Sequence, residues 1–243
     1  KKVVIEEFLN GIELSVFVLT DGDNYLILPE AKDYKRIGED DTGLNTGGMG
    51  AVSPVPFAGS EFMKKVEERV IKPTISGLKA DGIKYQGFIF IGLMNCGGDP
   101  FVIEYNVRMG DPETEAVVPR IKSDLLSHFA ALGRGELCSE KMVHSSGTSL
   151  TIVAVSGGYP EEYKKGYKIT GTEELKDSLL FHSGTAQLSG DIVTNGGRVL
   201  ALTVNAPDIA SAREIAYSQI EKVNFNGIYF RRDLGLDLIN FSK

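Results

Sequence analysis

The segment from Val102 to Glu113 carries the densest set of side chains that could do chemistry. On a β-strand, Glu104, Asn106 and Arg108 alternate by two residues and therefore project from one face. Carboxylate and amide oxygens suit Mg²⁺, which binds through one or two protein groups together with the phosphates of a substrate. The spacing predicts a magnesium site beside a cation, although a half-solvated strand with one salt bridge would show the same pattern.

A second candidate lies near the start of the chain, between Glu6 and Glu13. Its order is a strand, a glycine turn and an acid on the next strand. In such a hinge, exposed backbone groups can contact the edge of an adenine ring, and the acid can accept hydrogen bonds from ribose hydroxyls. The hinge hypothesis competes with a plain β-hairpin, which has the same signature.

The third candidate is a glycine-rich run from Asp41 to Gly50, preceded by Lys35 and Arg36. Glycines allow backbone N–H groups to approach an anion closely, and the two cations could neutralise a phosphate. The run matches neither the Walker A motif nor the GxGxxG fingerprint. Phosphate binding and a flexible surface loop both remain open for it.

Nucleophilic catalysis has little support in the sequence. The three histidines are His128, His144 and His182, and none lies in a local nucleophile motif. Arg231 and Arg232 follow an Asn-Gly turn and could bind a phosphate, but paired arginines are also common on solvated surfaces.

The elements that must position these side chains form an antiparallel pattern in the first part of the chain. Residues 31–57 lack apolar periodicity and are predicted to form a long loop. Ser60 is predicted to cap a helix that Pro73 breaks or kinks, and Ser123 to cap another. Runs of strand-forming residues and the turns between them predict strands at 3–5, 12–20, 25–28, 87–94 and 101–106, and helices are predicted at 115–121 and 124–132.

A second unit is predicted after the polar, serine-rich stretch at 138–147, where we place a domain boundary. Pro207 is predicted to open a helix in this unit, with Ile209, Ala212, Ala216 and Ile220 on one face. Strands are predicted at 150–155, 179–182, 187–188 and 198–204.

Composition narrows the class of protein. The 243 residues include 42% hydrophobic and 24% charged residues, which is typical of a folded globular protein. The net charge of −7 argues against a nucleic-acid partner, and no apolar run reaches the roughly 18 residues that span a bilayer. Cys96 and Cys138 form no metal or disulfide motif, which is typical of a reduced, cytoplasmic protein. Because the chain begins without Met inside a predicted strand, we expect it to be one portion of a longer polypeptide.

Together, these segments resemble one family, the glycinamide ribonucleotide synthetases of the ATP-grasp superfamily. The shared runs are VVIEEFLNGIELS, KRIGEDDTGLNTGGMGAVSP, QGFIFIGLM, VIEYNVRMGDPETEAV, VAVSGGYP, FHSGT, NGGRVLALT and FRRDLG, in the family's order. The resemblance implies an α+β fold. Residues 1–140 would form the C-terminal half of an ATP-grasp domain, an antiparallel sheet with helices, and residues 148–243 a small mixed α/β C-terminal domain.

The resemblance also implies an activity. The family joins glycine to 5-phosphoribosylamine in purine biosynthesis, with ATP cleaved to ADP and phosphate through a glycyl phosphate. It implies Mg²⁺, with Mn²⁺ as an alternative, ATP as co-substrate, and small-molecule partners rather than nucleic acid or membrane. The family's N-terminal domain and first ATP-grasp lobe have no counterpart in this sequence, so the chain alone is expected to be inactive.

By the same resemblance, each candidate residue acquires a role. Glu104 and Asn106 resemble the magnesium ligands, and Arg108 resembles the arginine near the acyl phosphate. The other roles implied are adenine contacts for Glu6, Glu7, Phe8 and Leu9, a ribose contact for Glu13, and substrate contacts for Lys35, Arg36, Asn45, Gly47, Gly48, Asp111, Arg231 and Arg232.

Two departures from the family pattern limit these roles. Leu44 stands where many relatives have Pro, which should loosen that turn without removing a ligand. The strand predicted at 87–94 offers no further metal carboxylate, so we expect one pair of ligands. Two other functions stay open: another ATP-grasp carboxylate–amine ligase, against which NTGGMG and GDPET argue, and a non-catalytic fragment that only binds nucleotide.

Overall fold

The computed structural model describes residues 3–239 and residue 241. In this part of the chain no helix is long and apolar enough to cross a membrane. The strands are β1 (Ile12–Thr20), β2 (Tyr25–Ile27), β3 (Lys32–Asp33), β4 (Arg36–Gly38), β5 (Thr42–Asn45), β6 (Gly50–Ser53), β7 (Gly87–Cys96), β8 (Asp99–Asn106), β9 (Thr148–Val155), β10 (Leu179–His182), β11 (Thr185–Leu188), β12 (Asp191–Thr194) and β13 (Arg198–Ala206). The helices are α1 (Ser60–Val66), α2 (Lys72–Ala80), α3 (Glu113–Val117), α4 (Leu125–Arg134), α5 (Ile209–Ile220) and α6 (Leu236–Ile239).

An antiparallel sheet of four strands, in the order β2–β1–β7–β8, carries Glu13 and Glu104. Successive side chains of β1 point to opposite faces, and both faces are buried. Leu14 and Val16 belong to the larger core, which includes residues of α1 and α2. Phe17 packs on the other face with residues of α3 and α4. The α+β class predicted from the sequence is confirmed.

A second sheet joins strands from both sides of the polar stretch at 138–147. Its order is β10–β13–β9–β6–β3, and β6 pairs with β9 so that Gly50 lies opposite Ile152 and Ser53 opposite Ser149. The domain ranges 1–140 and 148–243 stay a prediction, but strands from the two ranges share this sheet. Residues that the two parts contribute are therefore fixed relative to each other.

Residues 31–57 are the main place where the prediction of local structure was wrong. This stretch contains β3, β4, β5 and β6 rather than one long loop. Each of these strands is at most four residues long, and β6 finds its partner in β9, far along the chain. Periodicity needs a longer run to be visible, so the local sequence did not indicate these strands.

Four smaller predictions also differ from the structure. Residues 3–5 are exposed and form no strand. Helix α1 follows Gly59 without a side-chain cap, and Pro73 lies in the first turn of α2 while a π-helical stretch keeps the two helices continuous. Helix α4 is capped by Asp124, which accepts two backbone N–H groups, rather than by Ser123.

Candidate functional site

Two clefts meet at Asp33 and Lys35, which line both of them. The larger has a volume of about 980 Å³ and the smaller about 580 Å³. The candidate residues along the larger cleft are Glu6, Glu7, Phe8, Leu9, Glu13, Lys35, Arg36 and Asn45. Those along the smaller cleft are Lys35, Gly47, Glu104, Arg108 and Asp111. The fold thus brings together candidates from segments that are far apart in the sequence.

The larger cleft combines acids with apolar surface. The Phe8 side chain is 90% exposed, and Val102 and Ile103 of β8 line the same cleft. Lys35 Nζ donates a hydrogen bond to Glu13 Oε1. An apolar surface beside carboxylates can bind a planar heteroaromatic ring on one side and hydroxyl groups on the other.

The hairpin of β7 and β8 places Glu104 in the smaller cleft. Glu104 lies opposite Gly92 on β7, and its Cγ is 3.1 Å from the position that a Cβ of residue 92 would take. The missing side chain at Gly92 therefore gives the Glu104 side chain room beside the neighbouring strand. A register shift at this point of the hairpin accompanies the arrangement.

Asn106 and Arg108 are neighbours where β8 ends. Arg108 Nη2 lies 3.4 Å from Asn106 Oδ1, and Arg108 Cζ lies 5.8 Å from the centre of the Phe90 ring. Glu104 and Arg108 both line the smaller cleft, whereas Asn106 is not among its lining residues. The structure therefore brings Glu104 and Arg108 together and leaves Asn106 beside Arg108.

The oxygen donors can be tested against a divalent cation. Within residues 3–239 and 241, no group of three or more Asp, Glu, His or Cys side chains is placed to hold a metal. The carboxylate of Glu104 and the amide oxygen of Asn106 are hard donors that suit Mg²⁺ when substrate phosphates supply further ligands. The donor set fits a cation that arrives with a nucleotide better than one enclosed by protein.

Acids surround Lys35 where the two clefts meet. Burial, together with repulsion from Glu113, raises the pKa of Asp33. Burial also raises the pKa of Glu113, whose Oε1 accepts a hydrogen bond of 3.0 Å from Ser15 Oγ. Burial alone would lower the pKa of Lys35, but the attraction of Asp33 and the hydrogen bond to Glu13 more than reverse this and raise it. Lys35 therefore stays positively charged and attracts acids that line both clefts.

The glycine-rich loop packs against the GDPET segment. Gly48 has a φ of +113°, and a Cβ at this position would collide with Pro112 Cδ, so glycine is required there. Thr46 N–H donates to the Lys35 carbonyl at 2.7 Å, and Gly48 N–H donates to Thr46 Oγ1 at 3.0 Å. The loop is held by specific hydrogen bonds beside the cleft.

Comparison with models of protein families identifies the family to which this chain belongs. A family model described as phosphoribosylglycinamide synthetase, ATP-grasp (A) domain, matches residues 1–114. The C domain model of the same synthetase matches residues 149–237. The chain belongs to the phosphoribosylglycinamide synthetase family. The resemblance inferred from the sequence motifs is confirmed.

Known proteins of this synthetase family are similar along almost the whole chain. A phosphoribosylamine–glycine ligase of Chlorobaculum tepidum is 46% identical over 237 residues, which cover 96% of this chain and 56% of that protein. The crystal structure of the phosphoribosylamine–glycine ligase of Thermotoga maritima matches with a TM-score of 0.86 and 41% identity, covering 94% of this chain and 56% of that one. The chain spans a little over half the length of these relatives.

This chain shares its fold with more distant proteins. The biotin carboxylase of Campylobacter jejuni matches with a TM-score of 0.66 at 17% identity, covering 97% of this chain and 52% of that one. Such a low identity shows a common fold and nothing further. The family models, by contrast, distinguish the synthetases from the other ATP-grasp ligases considered from the sequence.

One residue of the synthetase's C domain completes the smaller cleft, and sequence reasoning missed it. Arg198, the first residue of β13, lines this cleft and donates to the carbonyl oxygens of Gly47 at 2.6 Å and Asp111 at 2.8 Å. The only signal was the family run NGGRVLALT, and nothing local to that run indicates a contact with Gly47.

Arg231 and Arg232, by contrast, are engaged in contacts within the protein. Arg231 is buried, and it donates to Asp41 Oδ1 at 2.7 Å and to Asp233 Oδ2 at 2.6 Å. Arg232 pairs with Glu221 at 2.6 Å on the surface. Neither arginine lines the two clefts. We therefore leave both out of the substrate site proposed below.

His128 has the hydrogen-bond partners of a general base without the surroundings of one. It lies 2.8 Å from Ser123 Oγ and 2.7 Å from Glu140 Oε2, which is the spacing of a nucleophile and its base. The Ser123 hydroxyl also accepts the N–H of Val143 at 3.1 Å, and these residues line neither cleft. Their contacts fasten the start of α4 to the segment that follows it.

Proposed function

We propose that the chain is the C-terminal portion of a phosphoribosylamine–glycine ligase, which joins glycine to 5-phosphoribosylamine and cleaves ATP to ADP and phosphate. The observation that carries this proposal is the meeting of two clefts at Lys35 in a chain that matches both synthetase domains. The larger cleft is wide enough for a nucleotide. The smaller one holds the charged groups that a phosphate and two small substrates need.

The larger cleft is the proposed ATP site. Glu6, Glu7 and Leu9 offer backbone groups to the adenine edge, and the exposed Phe8 ring offers apolar surface. Glu13 accepts from ribose hydroxyls while keeping its bond to Lys35, since a carboxylate has room for several hydrogen bonds. The triphosphate then passes Lys35 into the smaller cleft.

The smaller cleft is the proposed reaction site. Glu104 and Asn106 would hold Mg²⁺, with Mn²⁺ as an alternative, and the bound cation would neutralise charge on the transferred phosphate. Arg108 lines the same cleft and is the proposed catalytic residue, since its guanidinium stabilises negative charge on the acyl phosphate oxygens. Positioning and charge neutralisation thus account for most of the catalysis.

Two successive displacements make up the proposed reaction. A glycine carboxylate oxygen attacks the γ-phosphorus of ATP, and ADP leaves. The amine nitrogen of phosphoribosylamine then attacks the acyl carbon of glycyl phosphate, phosphate leaves, and the nitrogen loses a proton. In this proposal Asp111 and Gly47 of the smaller cleft hold the amine substrate together with the adjacent Gly48, and Lys35, which lines both clefts, supplies charge for its phosphate group. Arg36 and Asn45 line only the larger cleft, so we leave them out of the site for the amine substrate.

The proposed substrates are small metabolites of purine biosynthesis, so neither nucleic acid nor membrane is a partner in this proposal. The two cysteines, Cys96 and Cys138, are free thiols, which supports a reducing compartment such as the cytoplasm.

We expect the complete polypeptide to release ADP in a glycine-dependent reaction and the isolated 243-residue chain to release none. The chain spans 56% of its Chlorobaculum relative, and the apolar wall of the larger cleft is open, with Phe8 90% and Val102 37% exposed. ADP release from both proteins, with each substrate omitted in turn, is the measurement. Turnover by the isolated chain at the rate of the complete polypeptide would refute the need for an N-terminal portion. Nucleotide binding by both proteins without turnover by either would instead favour a non-catalytic nucleotide-binding role.

A further inference from the structure

We propose that Arg198 is a positioning residue for the amine substrate, because it holds Asp111 and the glycine-rich loop in place at the smaller cleft. The proposal rests on the ligase function proposed above and adds to it a residue from the C-terminal part of the chain. Arg198 lines the smaller cleft and not the larger one. Because its hydrogen bonds go to Gly47 and Asp111, which the proposed function assigns to the amine substrate, its effect should fall on that substrate more than on the nucleotide.

Three hydrogen bonds from Arg198 join two separate segments. Arg198 Nη1 donates to the carbonyl oxygen of Gly47 at 2.6 Å and to that of Asp111 at 2.8 Å. Nη2 donates to Asp111 Oδ2 at 3.0 Å. A planar guanidinium presents N–H groups in fixed directions, so it can hold the carbonyl and the carboxylate of one residue together. A lysine ammonium lacks this fixed geometry.

Gly47 is held from both sides by the C-terminal part of the chain. Its N–H donates to the Tyr159 hydroxyl at 3.0 Å, while its carbonyl accepts from Arg198. A Cβ on residue 47 would lie 3.0 Å from Arg198 Cζ, so the guanidinium packs directly on the glycine backbone. Arg198 and Tyr159 thus fix where the loop meets the cleft.

The ion pair between Arg198 and Asp111 is partly exposed, which indicates that it positions the residues of the cleft more than it stabilises the fold. The Arg198 side chain is 22% exposed and that of Asp111 57%, and ion pairs between partly exposed groups contribute little to stability. Arg198 binds one carboxylate oxygen of Asp111 and leaves the residue open to the cleft, where it can accept from a sugar hydroxyl. A misplacement of about 1 Å at such a group can slow a reaction roughly a hundredfold.

The test compares three variants of the complete polypeptide. Arg198→Ala removes all three hydrogen bonds, and Arg198→Lys keeps the charge without the planar fork. Arg213→Ala is the control, because Arg213 also belongs to the C-terminal part, donates to the backbone carbonyls of Leu234 and Arg232, and lines neither cleft. Kinetics are measured separately against ATP, glycine and phosphoribosylamine, with a melting curve for each variant.

We expect Arg198→Ala to lower kcat/KM for phosphoribosylamine by roughly ten- to a hundredfold while KM for ATP changes less than about twofold. Arg198→Lys should be intermediate, and Arg213→Ala should match the wild type in all three KM values. Unchanged kinetics in Arg198→Ala, equal losses for all substrates, or losses that follow the melting temperature would overturn the proposal. A wild-type polypeptide without glycine-dependent ADP release would refute the ligase function itself, and this is seen before any variant is compared.

Discussion

Replacing Glu104 with glutamine is expected to slow turnover of the complete polypeptide about a hundredfold without unfolding it. The substitution keeps the size of the side chain and a carbonyl oxygen but removes the charge from the proposed cation site. One such contact is worth roughly 3 kcal/mol of transition-state stabilisation. Glu104 is exposed on an edge strand, so its contribution to folding should be only about 0 to 1 kcal/mol.

Turnover as a function of Mg²⁺ concentration, together with a melting curve, checks this prediction. Asp99→Asn is the control, because Asp99 begins the same strand, pairs with Lys65 and Arg69, and lines neither cleft. Glu104→Gln should be slow and require more Mg²⁺, while Asp99→Asn should behave like the wild type. An unchanged Mg²⁺ dependence and rate in Glu104→Gln, or a loss explained by unfolding, would make Glu104 a structural acid.

Replacing Arg231 with methionine is expected to lower the free energy of unfolding by roughly 3 to 5 kcal/mol. The Arg231 side chain is 1% exposed. It donates to Asp233 through both Nε and Nη2, at 2.8 and 2.6 Å, and to Asp41 at 2.7 Å. Methionine fills similar volume but leaves Asp233, which is 15% exposed, without the charge that compensates it. Breaking a buried pair by removing one partner is strongly destabilising for this reason.

The neighbouring residue supplies the matched control for Arg231. Arg232 pairs with Glu221, and both side chains are more than half exposed, so Arg232→Met should cost at most about 1 kcal/mol. Denaturant unfolding of the 243-residue chain measures both variants. Similar losses for the two variants, or a small loss for Arg231→Met, would show that the buried cluster does not stabilise the fold as we infer.

Long periodic elements could be predicted from the sequence because their signals are local. The strand at 12–20 begins and ends where its β-branched and aromatic residues and the following turn place it. Ile209, Ala212, Ala216 and Ile220 are all buried on one face of α5, as their spacing predicted. In both elements one continuous stretch of sequence is long enough for its residue types or its period to define the element.

Short elements that depend on distant partners could not be predicted in this way. Lys32–Asp33 and Gly50–Ser53 are strands only because other strands pair with them, and Gly50–Ser53 pairs with residues 149–152. The second sheet also depends on pairing between distant residues, because its strands come from both sides of the polar stretch at 138–147. No local pattern carries this information, so the stretch at 31–57 looked like a loop.

The residues of the candidate site likewise divide into those that the local sequence indicated and those that only the tertiary fold brings to the site. Glu104 and Arg108 share a strand and its direct continuation, and alternation by two over these four residues placed them on one face, but it also placed Asn106 there, which does not line the cleft. Arg198 comes from a strand of the other sheet and reaches Gly47 and Asp111 only through the tertiary fold. Arg231 looked like a surface phosphate ligand, but two carboxylates from separate segments enclose it.

The central claim is that glycine is activated as an acyl phosphate, and the fate of a glycine oxygen tests this most directly. A carboxylate oxygen that attacks the γ-phosphorus remains bound to phosphorus when the amine later displaces phosphate. With glycine labelled by ¹⁸O in its carboxylate, the complete polypeptide should form ADP and phosphate that carries one labelled oxygen. Unlabelled phosphate, AMP in place of ADP, or ATP cleavage without glycine would contradict the claim.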